Sequence, residues 1–200
     1  MVIARLRPYA LKLLNPFAER LAVFPAWVYT VAGLIASTAY LAACHAQQSL
    51  SAALLLLTSG LLDAIDGSVA RVRSETSPRG ALLDSVVDRL EDAMYAYGLL
   101  LLGLPQPLVY LLLTLSLLFS YVRARYESLA SQSLEGVGLM ERGERILAIS
   151  VVVLLANTSP LLSTLLLALV VTAIAIGLTW RFATAYKNLP PAPRKPKATG

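Results

Sequence analysis

Six apolar stretches, each about as long as a bilayer is thick, constrain the fold of this chain more than any other feature. A helix needs roughly 20 apolar residues to cross the hydrocarbon core of a membrane. The stretches lack strand-like alternation, so helices satisfy their backbone hydrogen bonds best. We predict an all-α integral membrane protein with six transmembrane helices. The predicted spans are residues 22–44, 50–70, 81–104, 107–127, 143–157 and 161–184.

The two ends of the chain differ from the apolar middle. Residues 1–20 combine helically spaced apolar side chains with several basic ones, which is typical of an amphipathic helix lying on lipid headgroups. A disordered leader is the alternative. Residues 186–200 are basic and rich in proline, and we predict a disordered tail there. The predicted organisation is therefore a juxtamembrane helix over 1–20, a six-helix transmembrane domain over 21–185 and this tail.

Lysine and arginine are distributed unevenly among the connections between the predicted spans. The connections after the first, third and fifth spans contain neither residue, whereas the other connections and both ends hold nearly all of them. By the positive-inside rule, we expect both termini and the charged loops in the cytoplasm of a multi-pass cell-membrane protein. The net charge of +5 is spread through a membrane chain, which favours contact with the bilayer surface over nucleic acid.

Charged residues are concentrated in residues 61–93, which contain seven acidic side chains and four arginines between apolar neighbours. Asp63 and Asp66 are three positions apart near the end of the second span, and Asp84 and Asp88 are four apart near the start of the third. On helices, each pair projects from one face. Ionised groups at membrane depth are costly unless compensated. The two pairs therefore predict a polar cavity that opens to the cytoplasm.

Four carboxylates that converge on one cavity need positive charge, because they repel one another strongly in a low dielectric. One or two divalent cations would supply it, and oxygen ligands favour Mg²⁺ or Mn²⁺. A hard cation at a membrane surface acts most often on phosphate oxygens, which indicates phosphoryl-type transfer. The small residues Gly67, Ala70 and Gly80 would let a ligand approach the backbone closely. Packing between helices through small residues is the alternative for the glycines.

The spacing D-x2-D-G-x2-A-R-x8-G-x3-D-x3-D resembles the signature of the CDP-alcohol phosphotransferase family. Its eight positions are Asp63, Asp66, Gly67, Ala70, Arg71, Gly80, Asp84 and Asp88. The resemblance implies a six-helix homodimeric enzyme that transfers a phosphate-linked lipid group from a CDP-lipid to an alcohol and releases CMP. One departure is that family members often begin the first span with Pro-Asn-x-x-Thr, whereas residues 25–30 here read PAWVYT and lack the asparagine.

The same resemblance assigns roles to the residues of the motif. It implies that Asp63, Asp66 and Asp84 bind metal, and that Asp88 is both a metal ligand and the general base. It implies that the nucleotide lies among Asp63 and the four residues between the aspartate pairs: Gly67, Ala70, Arg71 and Gly80. A role in membrane topology is the alternative for Arg71. Glu91 and Asp92 lie beyond the motif, and we expect them to line the cavity or support the other carboxylates.

Five arginines near the predicted cytoplasmic ends of the last three spans bear on the acceptor: Arg123, Arg125, Arg142, Arg145 and Arg181. They favour an acceptor that carries a phosphate, which guanidinium groups can clamp. The alternative is that they reach toward lipid headgroups, with an i, i+4 pair between Glu141 and Arg145. Because Arg123 and Arg125 are two positions apart on a helix, both cannot face inward.

Segments around these arginines resemble one branch of the family in particular. SYVRARYE, GVGLMERGERI and DSVVDR are similar to enzymes that make phosphatidylinositol phosphate or archaetidylinositol phosphate from inositol 1-phosphate. The donor would be CDP-diacylglycerol or CDP-archaeol. The resemblance implies that Arg123, Arg145 and Arg181 hold the acceptor phosphate, with Arg125 and Arg142 in support. The alternatives are glycerol 3-phosphate or serine as acceptor, CDP-inositol as donor, or an ion transporter with an acidic cavity.

Overall fold

The computed structural model describes residues 20–130, 132–134 and 136–190, and every regular element in these ranges is a helix. The helices are α1 (Ala26–His45), α2 (Ser49–Val72), α3 (Pro78–Leu101), α4 (Gln106–Ala130), α5 (Arg142–Leu155) and α6 (Pro160–Asn188). They follow the six predicted apolar stretches in order, so the all-α class is confirmed. Helix α6 continues three residues past the predicted boundary at 185. Residues 1–19 of the predicted amphipathic helix and 191–200 of the tail lie outside the described residues.

Local sequence sets the starts of α3 and α5. Helix α3 begins with Pro78, whose missing N–H has no partner in a first turn anyway. Ser77 caps that helix, and its hydroxyl accepts a hydrogen bond of 3.1 Å from the Gly80 amide. Helix α5 begins with a reciprocal capping box between Glu141 and Glu144. These caps fix where the first turns of α3 and α5 lie.

The six helices form a closed ring. Helix α1 packs on α2 and α3, α2 on α5, α5 on α6, α6 on α4, and α4 on α3. One hydrophobic core receives buried side chains from every helix, including Tyr40 and Tyr95, whose rings meet edge to face with centroids 5.9 Å apart. Gly98 is required beside them, because a Cβ atom there would overlap the Tyr40 ring. Helices α2 and α3 have little direct backbone contact, so a gap separates the end of α2 from the start of α3.

Four helices, α1, α2, α4 and α6, are long and apolar enough to cross a membrane. Helix α3 has sufficient length but carries five charged residues between positions 84 and 92. Helix α5 has 14 residues, which give a rod of about 21 Å, shorter than a hydrocarbon core of about 30 Å. The described part of the chain therefore has the character of a multi-pass membrane protein, and the full count of six spans stays a prediction.

Candidate active site

The four aspartates of the motif face one another across the gap between α2 and α3. The charge of Asp66 interacts with those of Asp63 and Asp84, and the charge of Asp88 interacts with the same two carboxylates. The pairs on the two helices therefore meet in one place, as their spacing of three and four residues predicts. Asp66 is buried, Asp63 and Asp88 are partly buried, and Asp84 is exposed. The acidic group thus extends from the interior to the surface.

Three carboxylates at the inner side of the gap form the most compact candidate metal site. One oxygen each from Asp63, Asp88 and Glu91 lies within 4.8 Å of the other two. Oxygen donors gathered at this separation suit Mg²⁺ or Mn²⁺, so the residues present fit a divalent cation. The sequence prediction placed all four aspartates around the metal. The structure adds Glu91 to Asp63 and Asp88, and Asp66 and Asp84 border the neighbouring cavity.

Arg142, in the first turn of α5, brings positive charge into this acidic group. Its guanidinium forms an ion pair with Asp63 and pairs at 2.6 Å with both Asp88 and Glu91. A longer contact of 3.7 Å reaches Asp92. The family resemblance implies that Arg142 supports an acceptor phosphate, whereas its observed partners are carboxylates. The packing of α5 on α2 accounts for this position, because it points the first turn of α5 at Asp63.

Glu91 is a fully buried carboxylate with four hydrogen-bond partners. One oxygen accepts from the hydroxyls of Ser37 at 3.2 Å and Ser59 at 3.1 Å. The other accepts from Tyr95 at 3.4 Å and from Arg142 at 2.6 Å. Such complete satisfaction is what a buried charge requires. Because Glu91 also belongs to the candidate metal site, its expected role in lining the cavity or supporting the other carboxylates stays a prediction.

One face of α1 carries small and polar residues that the sequence analysis did not single out. Thr30, Gly33 and Ser37 recur at i, i+3 and i+7, and this helical period was the signal that could have found them. The Thr30 hydroxyl donates to Asp66 at 2.7 Å. A Cβ atom on Gly33 would lie 3.2 Å from Asp63 and 3.4 Å from Glu91. The glycine therefore leaves room for the carboxylates.

A cavity of about 410 Å³ opens beside Asp66 and Asp84, between the start of α1, the end of α2 and the start of α3. Four of the five residues predicted to surround the nucleotide line it, namely Gly67, Ala70, Arg71 and Gly80. The fifth, Asp63, lies deeper with Asp88. A Cβ atom on Gly67 would meet only the Arg71 side chain, at 3.6 Å. Among the described residues no neighbouring helix fills that space, so packing between these helices does not account for this glycine.

Three of the five arginines predicted near the acceptor converge on one region. Arg145 and Arg181 are both 2% exposed, and the charges of Arg123 and Arg145 act on Arg181. The Arg181 guanidinium lies 3.7 Å from the centroid of the Phe119 ring. Arg125 is exposed on the other face of α4. The expectation that Arg123 and Arg125 cannot both face inward agrees with this arrangement.

Acidic residues tie the arginine region to its surroundings. Arg145 donates to Asp92 at 3.2 Å, and Asp92 in turn contacts Arg142, which links this region to the metal-site carboxylates. Glu141, which its spacing offered as a partner for Arg145, instead accepts from Arg181 at 2.9 Å. The neighbouring loop lies directly on α6, because a Cβ atom on Gly138, at φ +102, would approach the Gly177 carbonyl to 2.8 Å. The Arg181 side chain also donates to the Val137 carbonyl of this loop at 2.7 Å.

Comparison with known proteins gives this geometry a context. Residues 22–181 match the CDP-alcohol phosphatidyltransferase family. The archaetidylinositol phosphate synthase of Aeropyrum pernix is 42% identical over 122 residues, which are 61% of this chain and 62% of that protein. The enzyme of the same name from Methanothermobacter thermautotrophicus is 38% identical over 149 residues, 74% of this chain and 75% of that one. The match to the Aeropyrum protein thus spans less than two thirds of its length.

Solved structures give a similar result over more of the chain. The phosphatidylinositol phosphate synthase of Mycobacterium tuberculosis with CDP-DAG bound superposes with a TM-score of 0.73 at 26% identity, covering 88% of this chain and 94% of that one. The same enzyme in complex with manganese and citrate gives 0.72 at 27%, covering 86% and 88%. The family match covers the whole motif, all of α1 to α5 and most of α6. It shows that this chain belongs to the CDP-alcohol phosphatidyltransferase family.

Proposed function

We propose that the chain transfers a diradylglycerol-phosphate group, phosphatidyl or archaetidyl, from a CDP-lipid to the hydroxyl of inositol 1-phosphate and releases CMP. The observation that carries this proposal is that three features lie next to one another. They are a carboxylate group that fits a divalent cation, a cavity lined by the motif, and a buried arginine region joined to them by Asp92. The names of the two synthases and the CDP-DAG in the mycobacterial structure support the choice of substrates.

The donor nucleotide occupies the cavity at the end of α2 in this proposal. Gly67, Ala70 and Gly80 leave space along its wall for the sugar and the base. Arg71 also lines the cavity, and its guanidinium is anchored by a 3.0 Å hydrogen bond to Ser68. A planar guanidinium held in this way suits a phosphate. The diphosphate would then lie toward Asp66 and Asp84, beside the metal site.

We assign Asp63, Asp66, Asp84 and Asp88 as ligands of one or two Mg²⁺ or Mn²⁺ ions, with Glu91 beside them. The manganese complex of the mycobacterial enzyme supports this assignment. A divalent cation supplies electrophilic polarisation of phosphate oxygens when it is bound. The role of this chain is to hold the carboxylates in position. Thr30 orients Asp66 through its hydrogen bond, and the buried hydrogen bonds of Glu91 hold that carboxylate at the inner side of the gap.

Asp88 is the general base in this proposal. The hydroxyl oxygen of the acceptor forms a bond to the lipid-linked phosphorus, the bond from that phosphorus to the CMP oxygen breaks, and CMP leaves. The hydroxyl proton passes to the Asp88 carboxylate, which suits this transfer when it is within hydrogen-bond reach. Arg142 at 2.6 Å and Arg89 at 3.5 Å orient that carboxylate.

The acceptor phosphate binds Arg123, Arg145 and Arg181 in this proposal. Three guanidinium groups that act on one another in a largely buried region favour an anionic partner. Each of the three pairs with one carboxylate, namely Glu127, Asp92 and Glu141 in turn. Arg142 pairs with four carboxylates, and Arg125 lies on the exposed face of α4. We therefore assign the phosphate to the first three.

We also infer that this site faces the cytoplasm of a multi-pass cell-membrane protein with both termini on the same side. The uneven distribution of lysine and arginine supports this orientation. The homodimer that the family resemblance implies stays a prediction.

The test of the proposed function is CMP release by the purified protein in detergent with Mg²⁺. We expect release with CDP-diacylglycerol or CDP-archaeol only when inositol 1-phosphate is present. Parallel reactions use serine or glycerol 3-phosphate as the acceptor, or CDP-inositol as the donor. CMP release in one of these reactions but not with inositol 1-phosphate and a CDP-lipid would contradict the proposed substrates. Ion flux in liposomes without CMP release would favour the transporter.

A matched pair of substitutions on α4 tests the acceptor site. We expect Arg123→Gln to raise the KM for inositol 1-phosphate about 10- to 100-fold, since a hydrogen bond to a charged group contributes about 1.5–3 kcal/mol. The KM for the CDP-lipid should stay near its original value. Arg125→Gln removes the same charge two residues away on the exposed face and should leave both KM values nearly unchanged. Equal effects of the two substitutions would contradict the assignment of Arg123.

A further inference from the structure

We propose that Glu75 selects the base of the donor nucleotide, by accepting a hydrogen bond from the exocyclic amino group of cytosine and repelling the corresponding carbonyl oxygen of uracil. This inference rests on the proposed function, because it takes the cavity at the end of α2 to be the nucleotide site.

Glu75 lies in the connection between α2 and α3 and lines that cavity. Among the described residues, the acidic side chains that line it are Asp66, Asp84 and Glu75. The first two face the other aspartates, whereas Glu75 follows the end of α2 and its amide donates to the Ala70 carbonyl at 2.9 Å. Ala70 lies four positions after Asp66 on α2, a rise of about 6 Å. A nucleotide with its diphosphate near Asp66 would therefore extend its base toward Glu75.

The Glu75 carboxylate is held in place from two sides. One oxygen accepts from the Arg73 side chain at 2.6 Å, and the other accepts from the Ala26 amide at the start of α1 at 3.1 Å. Arg73 is itself fixed by a 2.6 Å bond to the Ala22 carbonyl. Because a carboxylate oxygen has two lone pairs, each oxygen can accept one further hydrogen bond. The group is thus oriented, and one third exposed, with acceptor capacity left toward the cavity.

The charge state of Glu75 suits this role. The hydrogen bond from Arg73, and after it the one from the Ala26 amide, lower the pKa of Glu75 below its usual value. The side chain is therefore an ionised acceptor at neutral pH and has no proton to donate. Cytosine presents an amino donor where uracil presents a carbonyl acceptor. A carboxylate at this position pairs with the first and leaves two acceptors facing each other with the second.

Tryptophan fluorescence measures the proposed selection without turnover. Trp27 lines the same cavity, and replacing the second tryptophan, Trp180, by phenylalanine makes the signal specific. With Mg²⁺ present, we expect the protein to bind CMP at least about tenfold more tightly than UMP. In Glu75→Gln, the amide offers both a donor and an acceptor, so the preference should fall to about threefold or less. CMP should lose affinity and UMP should gain it.

Arg79→Met is the matched control, because Arg79 lies exposed in the first turn of α3 and does not line the cavity. It changes the charge beside the same connection but keeps the Glu75 carboxylate and both of its hydrogen bonds. It should retain the preference for CMP, and a loss equal to that of Glu75→Gln would show that the charge of this region, and not the Glu75 carboxylate, is responsible and overturn the proposal. Equal binding of CMP and UMP to the unsubstituted protein, or an unchanged preference in Glu75→Gln, would overturn it while leaving the proposed transferase reaction intact. Absence of any CMP binding would overturn both.

Discussion

Replacing Asp88 by asparagine is expected to stop CMP release, with kcat lowered by about a thousandfold or more. Asparagine has nearly the same shape but cannot accept the hydroxyl proton. It also removes one charge from the group that Asp88 forms with Asp63 and Glu91, so Mn²⁺ should bind more weakly. Turnover is measured as CMP formed from the CDP-lipid and inositol 1-phosphate, and Mn²⁺ affinity is measured by electron paramagnetic resonance.

Glu144→Gln is the control for Asp88→Asn. It also removes one negative charge, but at the start of α5, where the Glu144 side chain accepts from the Glu141 amide. Glutamine can serve at that position of a capping box, so folding and turnover should be retained. Full turnover in Asp88→Asn would contradict the assignment of the base. Loss of turnover together with a large drop in melting temperature would assign Asp88 to folding instead.

The sequence predicted the helices well because membrane-length apolar runs are a strong local signal. Each helix overlaps its predicted segment, and the largest difference at either end of a helix is four residues. It occurs at the start of α1, which begins at Ala26, and at the end of α6, which continues to Asn188. The count of spans was less secure for α3 and α5. Both contain charges whose cost depends on what surrounds them, and a local sequence pattern does not give those surroundings.

The site was predictable where residues on one helix share a face, and less so where helices meet. The aspartate pairs follow from spacing alone. The position of Arg142 does not, because its neighbour Arg145 lies in the same turn but shares with it only the carboxylate of Asp92. Arg142 meets Asp63 on α2, whereas Arg145 meets Asp92 on α3. Which helix lies beside which is set by the closed ring of packing, and the periodicity of a single helix carries no information about that order.

Replacing Arg142 by methionine is expected to lower the melting temperature by about 10 °C. Glu91 is 0% exposed and would lose the guanidinium that lies 2.6 Å away. Removing one partner of a buried ion pair costs about 3–5 kcal/mol, and each kcal/mol shifts the melting temperature of a chain of this size by about 2–4 °C. Thermal unfolding in detergent with Mg²⁺ measures the effect. Arg125→Met, on the exposed face of α4, is the matched control and should change it little.

A second substitution separates the loss of charge pairing from the loss of packing. Glutamine at position 91 can still accept from Ser37 and Ser59 but carries no charge. If the buried charge causes the instability, Arg142→Met combined with Glu91→Gln should melt well above Arg142→Met alone. Asp63 and Asp88 are more exposed than Glu91, with side chains 10% and 22% accessible, so water and a bound cation can compensate them. A double variant as unstable as the sum of the two single ones would show that Arg142 acts through packing, and that its ion pair with Glu91 contributes little.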